Sequence, residues 1–390
     1  MDIQSYRNDT PGCLDHIHFN NAGASLPPQV VIETVKEYLD IEARIGGYEA
    51  MVMFQKKTQK VYHSLARMIH AKASEMAILQ SATQAWYNAF YSMPIRAGQT
   101  VLCSEAEYGS NYMGLLRRKK EVDFNIKVIP SDNQGQIDLE ILEKMISADI
   151  ALIAITHIPT NSGLVNPAEE VGRIAQKNGI PYLLDACQSV GQLPLDISKL
   201  GCDFLAATGR KYLRAPRGTG FLYCREEMLS RTDPLQPDNW GGQWTSLQEY
   251  TLQAGAIRFE NFEKSYALTL GLGAAAEYHL ETDEEERYRY IRELADYARK
   301  NIPESGSFEI MDIGKEKCGI VTFRSTNGGA KAIQQHLSDH GIASSLTFPA
   351  GALIDSQKRG LNDLNRVSFH YYNTKKEIDQ FLEVLKNWKY

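Results

Sequence analysis

The chain has 390 residues, of which 43% are hydrophobic and 23% charged, and its net charge is −6. This length exceeds one typical hydrophobic core, so we expect two domains. The acidic balance gives no support for nucleic acid or an anionic membrane as the main partner. The N-terminus lacks the apolar run of a signal peptide, and no stretch reaches the length of a membrane span, so we expect a cytoplasmic protein.

The six cysteines are not spaced like metal ligands. The sequence contains no CxxC pair and no cysteine/histidine ligand spacing, so we expect no metal site. Several cysteines lie in apolar runs, as Cys224 does, which is typical of small core residues. The basic cluster at residues 210–217 is either a solvated turn or the surroundings of a bound anion.

Helices and strands alternate through the first part of the chain. Helices are predicted at about 27–43, 55–71, 83–93, 111–120, 138–146 and 167–178. Strands are predicted at 77–80, 100–103, 124–129, 150–155 and 220–223, and two more lead into Asp185 and Lys211. This alternation predicts an α/β fold whose mainly parallel sheet is covered on both sides and binds ligands beyond the carboxyl ends of its strands.

The pattern changes after about residue 235. Helices are predicted at 264–281, 284–300, 330–340 and 375–388, and strands at 319–323 and 366–369. We therefore predict a large domain over residues 15–262 and a smaller C-terminal α+β domain over 263–390. Segment 1–14 is expected to pack near the smaller domain.

Two short apolar runs end in residues that can perform chemistry. One reads Tyr-Leu-Leu-Asp and ends at Asp185; the other begins at Asp203 and ends in Thr-Gly-Arg-Lys at Lys211. A lysine that attacks a carbonyl must lose its proton, and its ordinary pKa of about 10.4 forbids this near neutral pH unless the site lowers it. A buried carboxylate can hold a protonated ring nitrogen. Together with a phosphate-binding turn, the pair is what pyridoxal 5'-phosphate requires.

With these motifs the chain resembles the class V aminotransferase group of fold-type I pyridoxal-phosphate enzymes, which includes cysteine desulfurases, C–S lyases and isopenicillin N epimerase-like proteins. The matching motifs extend from Phe19-Asn20-Asn21-Ala22-Gly23 to a run that begins at Arg366. The resemblance implies a three-layer fold with a mainly parallel central sheet, an amino-acid substrate, and a homodimer with a shared active site.

The resemblance assigns roles to three residues of the two runs. Lys211 resembles the lysine that forms the Schiff base with the cofactor and then acts as the acid/base at the substrate Cα. Asp185 resembles the carboxylate on the pyridine nitrogen, and Gln188 the side chain that binds the cofactor's phenolic oxygen. Keeping the ring nitrogen protonated makes the ring an electron sink.

A phosphate site is expected where a strand turns into a helix at Ala82 and Thr83, because backbone N–H groups at a helix start bind anions. Alternatively, Thr83 is simply the N-cap of that helix. Thr208 and Arg210 match family positions that contact the phosphate, usually Ser and His.

Further cofactor contacts are expected from three other residues. Tyr108 matches a family position where a histidine usually stacks on the ring, and a tyrosine can stack too. The loop after the strand at 150–155 should place a side chain near the phenolic oxygen. Strict alignment puts Thr160 there, whereas Asn161 is the chemical match, so both remain candidates.

Substrate contacts are expected from both ends of the chain. Arg366 matches the arginine that binds the substrate α-carboxylate, and its fork of donors suits that group. Asn21, Ala22 and Gly23 match the segment that lines the substrate mouth, where a small residue permits close approach.

One departure from the family bears on the reaction. Desulfurases carry a nucleophilic cysteine on a loop before the carboxylate arginine, but residues 344–351 contain none, and no cysteine follows Cys318. Hydroxyl groups are poor acceptors of sulfur compared with a thiolate. A persulfide-forming desulfurase is therefore disfavoured.

The preferred function is that of a β-eliminating C–S lyase acting on an α-amino acid. A class V aminotransferase and an amino-acid epimerase remain alternatives, although an epimerase needs a second acid/base, for which Tyr108 is poorly suited. A non-catalytic protein of the same fold is the alternative from another class. It would be expected to lose Lys211 or Asp185, and this chain keeps both.

Overall fold

The computed structural model describes residues 1–389. Its strands are β1 (Ile17–His18), β2 (Met76–Leu79), β3 (Thr100–Ser104), β4 (Asn125–Ile129), β5 (Ile150–Thr156), β6 (Tyr182–Asp185), β7 (Phe204–Thr208), β8 (Gly220–Cys224), β9 (Gly242–Ser246), β10 (Glu249–Leu252), β11 (Phe308–Ile310), β12 (Ile320–Ser325), β13 (Ile342–Ala343), β14 (Ser345–Thr347) and β15 (Leu364–Ser368). Its α-helices are α1 (Ile3–Asn8), α2 (Gln29–Ile45), α3 (Gly47–Met53), α4 (Gln55–Met68), α5 (Ala82–Ser92), α6 (Gly109–Lys119), α7 (Leu139–Met145), α8 (Ala168–Lys177), α9 (Ile197–Leu200), α10 (Tyr266–Leu280), α11 (Glu284–Asn301), α12 (Ala330–Asp339), α13 (Leu353–Arg359) and α14 (Lys375–Lys386).

The main sheet has seven strands in the order β2-β8-β7-β6-β5-β3-β4. All neighbours pair in parallel except β8, which runs antiparallel to both β2 and β7. Strands β3, β6, β7 and β8 are buried along their whole length, as continuous apolar runs in a doubly covered sheet require. The predicted α/β fold with a mainly parallel central sheet is confirmed.

Helices cover both faces of this sheet because successive strand residues point to opposite sides. On β6, Leu183 packs in a cluster with Trp86 of α5 and Leu115 of α6. The next residue, Leu184, belongs to the cluster on the other face, with Val171 of α8 and Leu272 of α10. Each face therefore has its own apolar core, and the strand ends between them carry polar residues.

The C-terminal part is built on a second, antiparallel sheet in the order β11-β12-β15-β14. Its apolar side packs against α11, α12 and α14, with Val367 of β15 and Phe381 of α14 in one cluster. This is the smaller α+β unit that the sequence predicts. Helix α10 packs against α2 and α4, so a division of the chain after residue 262 stays a prediction.

The N-terminal segment contacts the C-terminal part through Arg7. Its Nη1 donates to the backbone oxygen of Tyr372 and to Oε1 of Glu377, both at 2.8 Å.

The antiparallel hairpin β9–β10 and helices α3 and α13 were not predicted. Within residues 1–389, every helix is too short or too polar to cross a membrane.

Candidate active site

A cavity opens where the parallel strands β5, β6 and β7 end, at the edge where α/β sheets bind ligands. All the predicted cofactor-binding residues except Asn161 line this cavity. The full lining is Gln80, Ser81, Ala82, Thr83, Tyr108, Thr156, Ile158, Thr160, Asp185, Cys187, Gln188, Thr208, Arg210, Lys211, Arg217, Gly218 and Thr219. The two apolar runs of the sequence thus bring their charged residues to one place.

Lys211 follows β7, and only 9% of it is exposed. The pKa of its amine is lowered to about 8, chiefly because burial disfavours the charged form. Arg210 and Arg366 act in the same direction, while Cys187 and Asp185 oppose them. An amine that loses its proton near pH 8 can serve as nucleophile and base close to neutral pH.

Asp185 is the last residue of β6, and its carboxylate is buried at the cavity. Oδ1 accepts from the backbone N–H of Cys187 at 2.9 Å, and Oδ2 accepts from the side-chain amide of Asn111 at 2.8 Å. Both donors are neutral, and each oxygen of the carboxylate keeps a lone pair for a further donor at the cavity. A protonated ring nitrogen would supply that donor and a positive charge beside the buried carboxylate.

Helix α5 begins at the cavity and presents an anion site. Ser81, and not Thr83, is its N-cap, with Oγ accepting from the backbone N–H of Gln84 at 3.1 Å. The first N–H groups of a helix have no partner within it, so those of α5 can bind a phosphate together with the exposed Thr83 hydroxyl.

Gly220 lets the backbone of β8 lie against this turn. A Cβ atom there would stand 2.6 Å from the carbonyl carbon of Ser81 and 2.8 Å from the nitrogen of Ala82. Both contacts are with backbone atoms, which cannot move aside independently. The close approach of β8 therefore fixes the start of α5.

Thr208 and Arg210 also lie at the cavity wall, but both are engaged with protein atoms. The hydroxyl of Thr208 donates to the carbonyl of Thr219 at 3.4 Å. Nη1 of Arg210 donates to the carbonyl of Gly23. Arg210 therefore also ties the N-terminal segment to the cavity, which the sequence does not predict.

Gln188 provides a direct test of whether the cofactor fits. Its Oε1 is buried and has no hydrogen-bond partner within residues 1–389, whereas its Nε2 donates to the carbonyl of Ala22 at 3.2 Å. An unpaired buried polar atom is costly and indicates a missing partner. Together with Lys211 and Asp185, it forms a donor and acceptor set that fits pyridoxal phosphate.

Thr160 and Asn161, the two candidates for a contact near the phenolic oxygen, lie in different surroundings. Thr160 lines the cavity, whereas the Nδ2 of Asn161 donates to Asp355 at 2.8 Å. Tyr108, at the N-cap of α6, also lines the cavity, with 36% of the residue exposed.

Arg366, on β15, does not line the cavity but reaches it through Thr160. Its Nη1 donates to the carbonyl and hydroxyl oxygens of Thr160, and its Nε donates to Ser345 Oγ at 3.0 Å. Burial lowers the pKa of its guanidinium to about 10. Within residues 1–389 this buried guanidinium has no carboxylate partner, so it is well suited to bind one from a ligand.

The N-terminal segment is held beside the site by the end of β15. The side chain of Asn21 donates to the carbonyl of Ser368 at 2.6 Å, and the backbone N–H of Ala22 donates to Ser368 Oγ at 2.8 Å. Asn21 is fully buried. Residues 21–23 do not line the cavity, but the carbonyls of Ala22 and Gly23 accept from the cavity-lining Gln188 and Arg210.

Several polar neighbours of the site are not predicted from the sequence. Glu107 and Asn111 lie behind Asp185, and Thr156 and Cys187 line the cavity. Glu107 lies just before α6 and Asn111 in its first turn, and no local sequence pattern indicates that the two side chains meet. Within residues 1–389, no group of three or more His, Cys, Asp or Glu side chains could hold a metal ion.

The fold and the cavity define the class of this protein as a fold-type I enzyme that uses pyridoxal 5'-phosphate. The chain belongs to the aminotransferase class-V family, whose sequence model matches residues 17–381.

Known proteins resemble the chain over almost its whole length. The probable cysteine desulfurase of Methanothermobacter thermautotrophicus is 27% identical over 99% of this chain and 98% of its own. The apo structure of a cysteine desulfurase from Thermococcus onnurineus NA1 is 26% identical, with a TM-score of 0.91 and coverage of 98% and 97%. A cystine C–S lyase in complex with its product, cysteine persulfide, shares the fold at 22% identity and a TM-score of 0.87, with coverage of 97% and 99%.

Proposed function

We propose that this enzyme cleaves the C–S bond of a sulfur-containing α-amino acid by β-elimination. The observation that carries the proposal is a base, Lys211, at the cavity wall, together with the buried cation Arg366, which is bonded to the cavity-lining Thr160. Relatives named as probable cysteine desulfurases, and a structural neighbour named as a cystine C–S lyase, support this choice of substrate class.

The chain's own residues divide the work. Arg366, oriented by Thr160, binds the substrate carboxylate and thereby points the Cα–H bond at Lys211 Nζ. Lys211 takes the Cα proton, and the electron pair released there expels the sulfur from Cβ as a thiolate or persulfide. The bound cofactor supplies the electron sink for that pair. The remaining three-carbon fragment hydrolyses to pyruvate and ammonia.

The fate of the sulfur distinguishes this proposal from desulfuration. No cysteine follows Cys318, and the cavity-lining thiol is Cys187, whose pKa burial raises well above its ordinary value. A protonated thiol is a poor sulfur acceptor. We therefore expect sulfur to leave the site in a small molecule and not as a protein-bound persulfide.

Product analysis tests the proposal. Purified enzyme is given cystine, cysteine, S-substituted cysteines and alanine, and pyruvate, ammonia and sulfur products are measured. Elimination predicts equal amounts of pyruvate and ammonia from a sulfur-containing substrate, and none from alanine. Amino transfer to an added oxo acid or exchange of the Cα hydrogen without pyruvate would overturn the proposal in favour of transamination or epimerisation. Lys211→Ala is the inactive control.

We also propose a homodimer. Helix α3 exposes Tyr48, Val52 and Met53, and the hairpin β9–β10 exposes Trp244 and Leu247, which is more apolar surface than these elements need alone. Light scattering on purified enzyme tests this, and a monomeric mass would contradict it.

The six unpaired cysteines support a reducing, cytoplasmic location.

A further inference from the structure

Glu107 is a buried carboxyl group for which the proposed reaction has no use. It lies just before α6, with 3% of the residue exposed. Four donors surround it. Oε1 accepts from Thr156 Oγ1 at 2.7 Å, Asn111 Nδ2 at 2.8 Å and the backbone N–H of Tyr108 at 3.2 Å, and Oε2 accepts from Ser104 Oγ at 3.2 Å.

Asn111 connects this carboxyl group to the catalytic site. Its Nδ2 donates to Glu107 Oε1 and to Asp185 Oδ2, both at 2.8 Å. Because both neighbours are carboxyl oxygens, only the NH₂ end of the amide can face them, and its two hydrogens are then both used. The direction of the bond to Asp185 is thus set by the bond to Glu107.

We propose that Glu107 is a positioning residue for the cofactor ring, which acts by holding Asn111 so that the carboxylate of Asp185 faces the ring nitrogen. With Asn111 on Oδ2 and the Cys187 N–H on Oδ1, each oxygen of Asp185 keeps a lone pair for the ring. This inference rests on the proposed function in one respect, that the enzyme binds pyridoxal phosphate. It does not depend on which substrate bond the enzyme cleaves.

Geometry, and not a second negative charge, is the basis of this role. Burial raises the pKa of Glu107 to about 7, the bonds from Thr156 and Asn111 oppose this shift, and the charge of Asp185 adds to it. Glu107 is thus partly neutral near pH 7. A neutral side chain of the same shape should therefore replace it, since a glutamine oxygen can accept from Asn111 while its NH₂ group donates to Ser104.

The test measures binding of pyridoxal phosphate to cofactor-free protein, together with the visible absorption of the bound cofactor, without any amino acid. We expect E107A and N111A each to raise the cofactor Kd at least tenfold and to shift the absorption maximum or its pH midpoint. E107Q should stay within threefold of wild type. Because Glu107 acts through Asn111, the double variant E107A/N111A should stay within threefold of N111A alone.

The matched control is E75A. Glu75 is also buried and accepts from the backbone N–H groups of Lys72 and Glu226, both at 3.0 Å, but it does not line the cavity. It should lower stability and leave the cofactor Kd and absorption unchanged.

Three results would overturn the proposal. The first is a wild-type Kd and spectrum in E107A, or in N111A if E107A does not fold. The second is a cofactor Kd for E107A/N111A about a hundredfold above that of wild type, because two independent tenfold effects multiply. The third is an E107Q variant as impaired as E107A. If wild type binds the cofactor on Lys211 but forms no pyruvate, only the proposed reaction fails; if wild type binds no cofactor, both proposals fail.

Discussion

Nη1 of Arg366 donates to both the carbonyl and the hydroxyl oxygen of Thr160, at 3.0 and 2.7 Å. This fork joins β15 of the C-terminal sheet to the loop after β5 of the main sheet. The guanidinium of Arg366, which we propose binds the substrate carboxylate, is fixed relative to the cavity at this point.

Replacing Thr160 with Ala should weaken substrate binding. The hydroxyl is an acceptor for a charged donor, and a tenfold rise in KM corresponds to about 1.4 kcal/mol. We expect KM for the best amino acid to rise about tenfold while kcat changes less than threefold, with T160S restoring KM. Steady-state kinetics checks this, and a large fall in kcat at unchanged KM would contradict it.

The variant N161A should lose stability but not cofactor affinity. The substitution removes the hydrogen bond from the Asn161 side-chain amide to the buried Asp355, which costs about 1–3 kcal/mol of folding stability. Denaturant unfolding should show that loss, while titration of cofactor-free protein should give a Kd within twofold of wild type. A tenfold weaker Kd would show that Asn161 contacts the cofactor after all.

The variant G220A should displace the start of α5. Its new Cβ would meet backbone atoms of Ser81 and Ala82 at 2.6 and 2.8 Å, so the phosphate turn must shift. We expect the Kd for pyridoxal phosphate to rise at least tenfold, with a smaller change for pyridoxal, which lacks the phosphate. G329A is a suitable control, since the added methyl meets nothing within 4 Å. Equal losses for both ligands would argue against a phosphate site there.

The lowered pKa of Lys211 should appear in the stability of the cofactor-free protein. Below about pH 8 the amine is charged in both states, and the native state bears the cost of burying it. Between about pH 8 and 10.5 the unfolded chain binds more protons than the native one, so stability rises with pH. The full difference is about 3 kcal/mol.

The variant Lys211→Met has no titratable side chain at this position. Comparing it with wild type therefore isolates the contribution of the Lys211 amine to the pH dependence of stability. Denaturant unfolding of both proteins from pH 7 to 10 should show wild type gaining stability relative to the variant as the pH rises. Parallel curves would mean that the amine titrates at its ordinary value in the native state.

Much of the fold could be predicted because the buried strands are continuous runs of apolar residues that end in polar residues. The hairpin β9–β10 was missed because most of its residues are exposed and polar. Helix α13 lies in a region without a clear apolar period.

The residues of the site likewise fall into two groups, those that a local sequence pattern indicates and those that it does not. Asp185 and Lys211 could be predicted because they are local features: Asp185 ends β6, and Lys211 lies in the turn after β7. The partner of Asn161 is 194 positions away at Asp355, and Arg210 binds Gly23 across 187 positions. No local pattern reveals such pairs, and the link from Glu107 through Asn111 to Asp185 likewise crosses two elements.

The attachment of Asn21 and Ala22 to Ser368 has a consequence for biosynthesis. These bonds can form only after a further 346 residues have been synthesised, because Ser368 lies that far beyond Ala22. A nascent chain that has not yet made β15 therefore carries Asp185 and Lys211 but lacks the contacts that hold residues 21 and 22 in place. We expect such a chain to bind the coenzyme less tightly than one in which β15 has joined this segment.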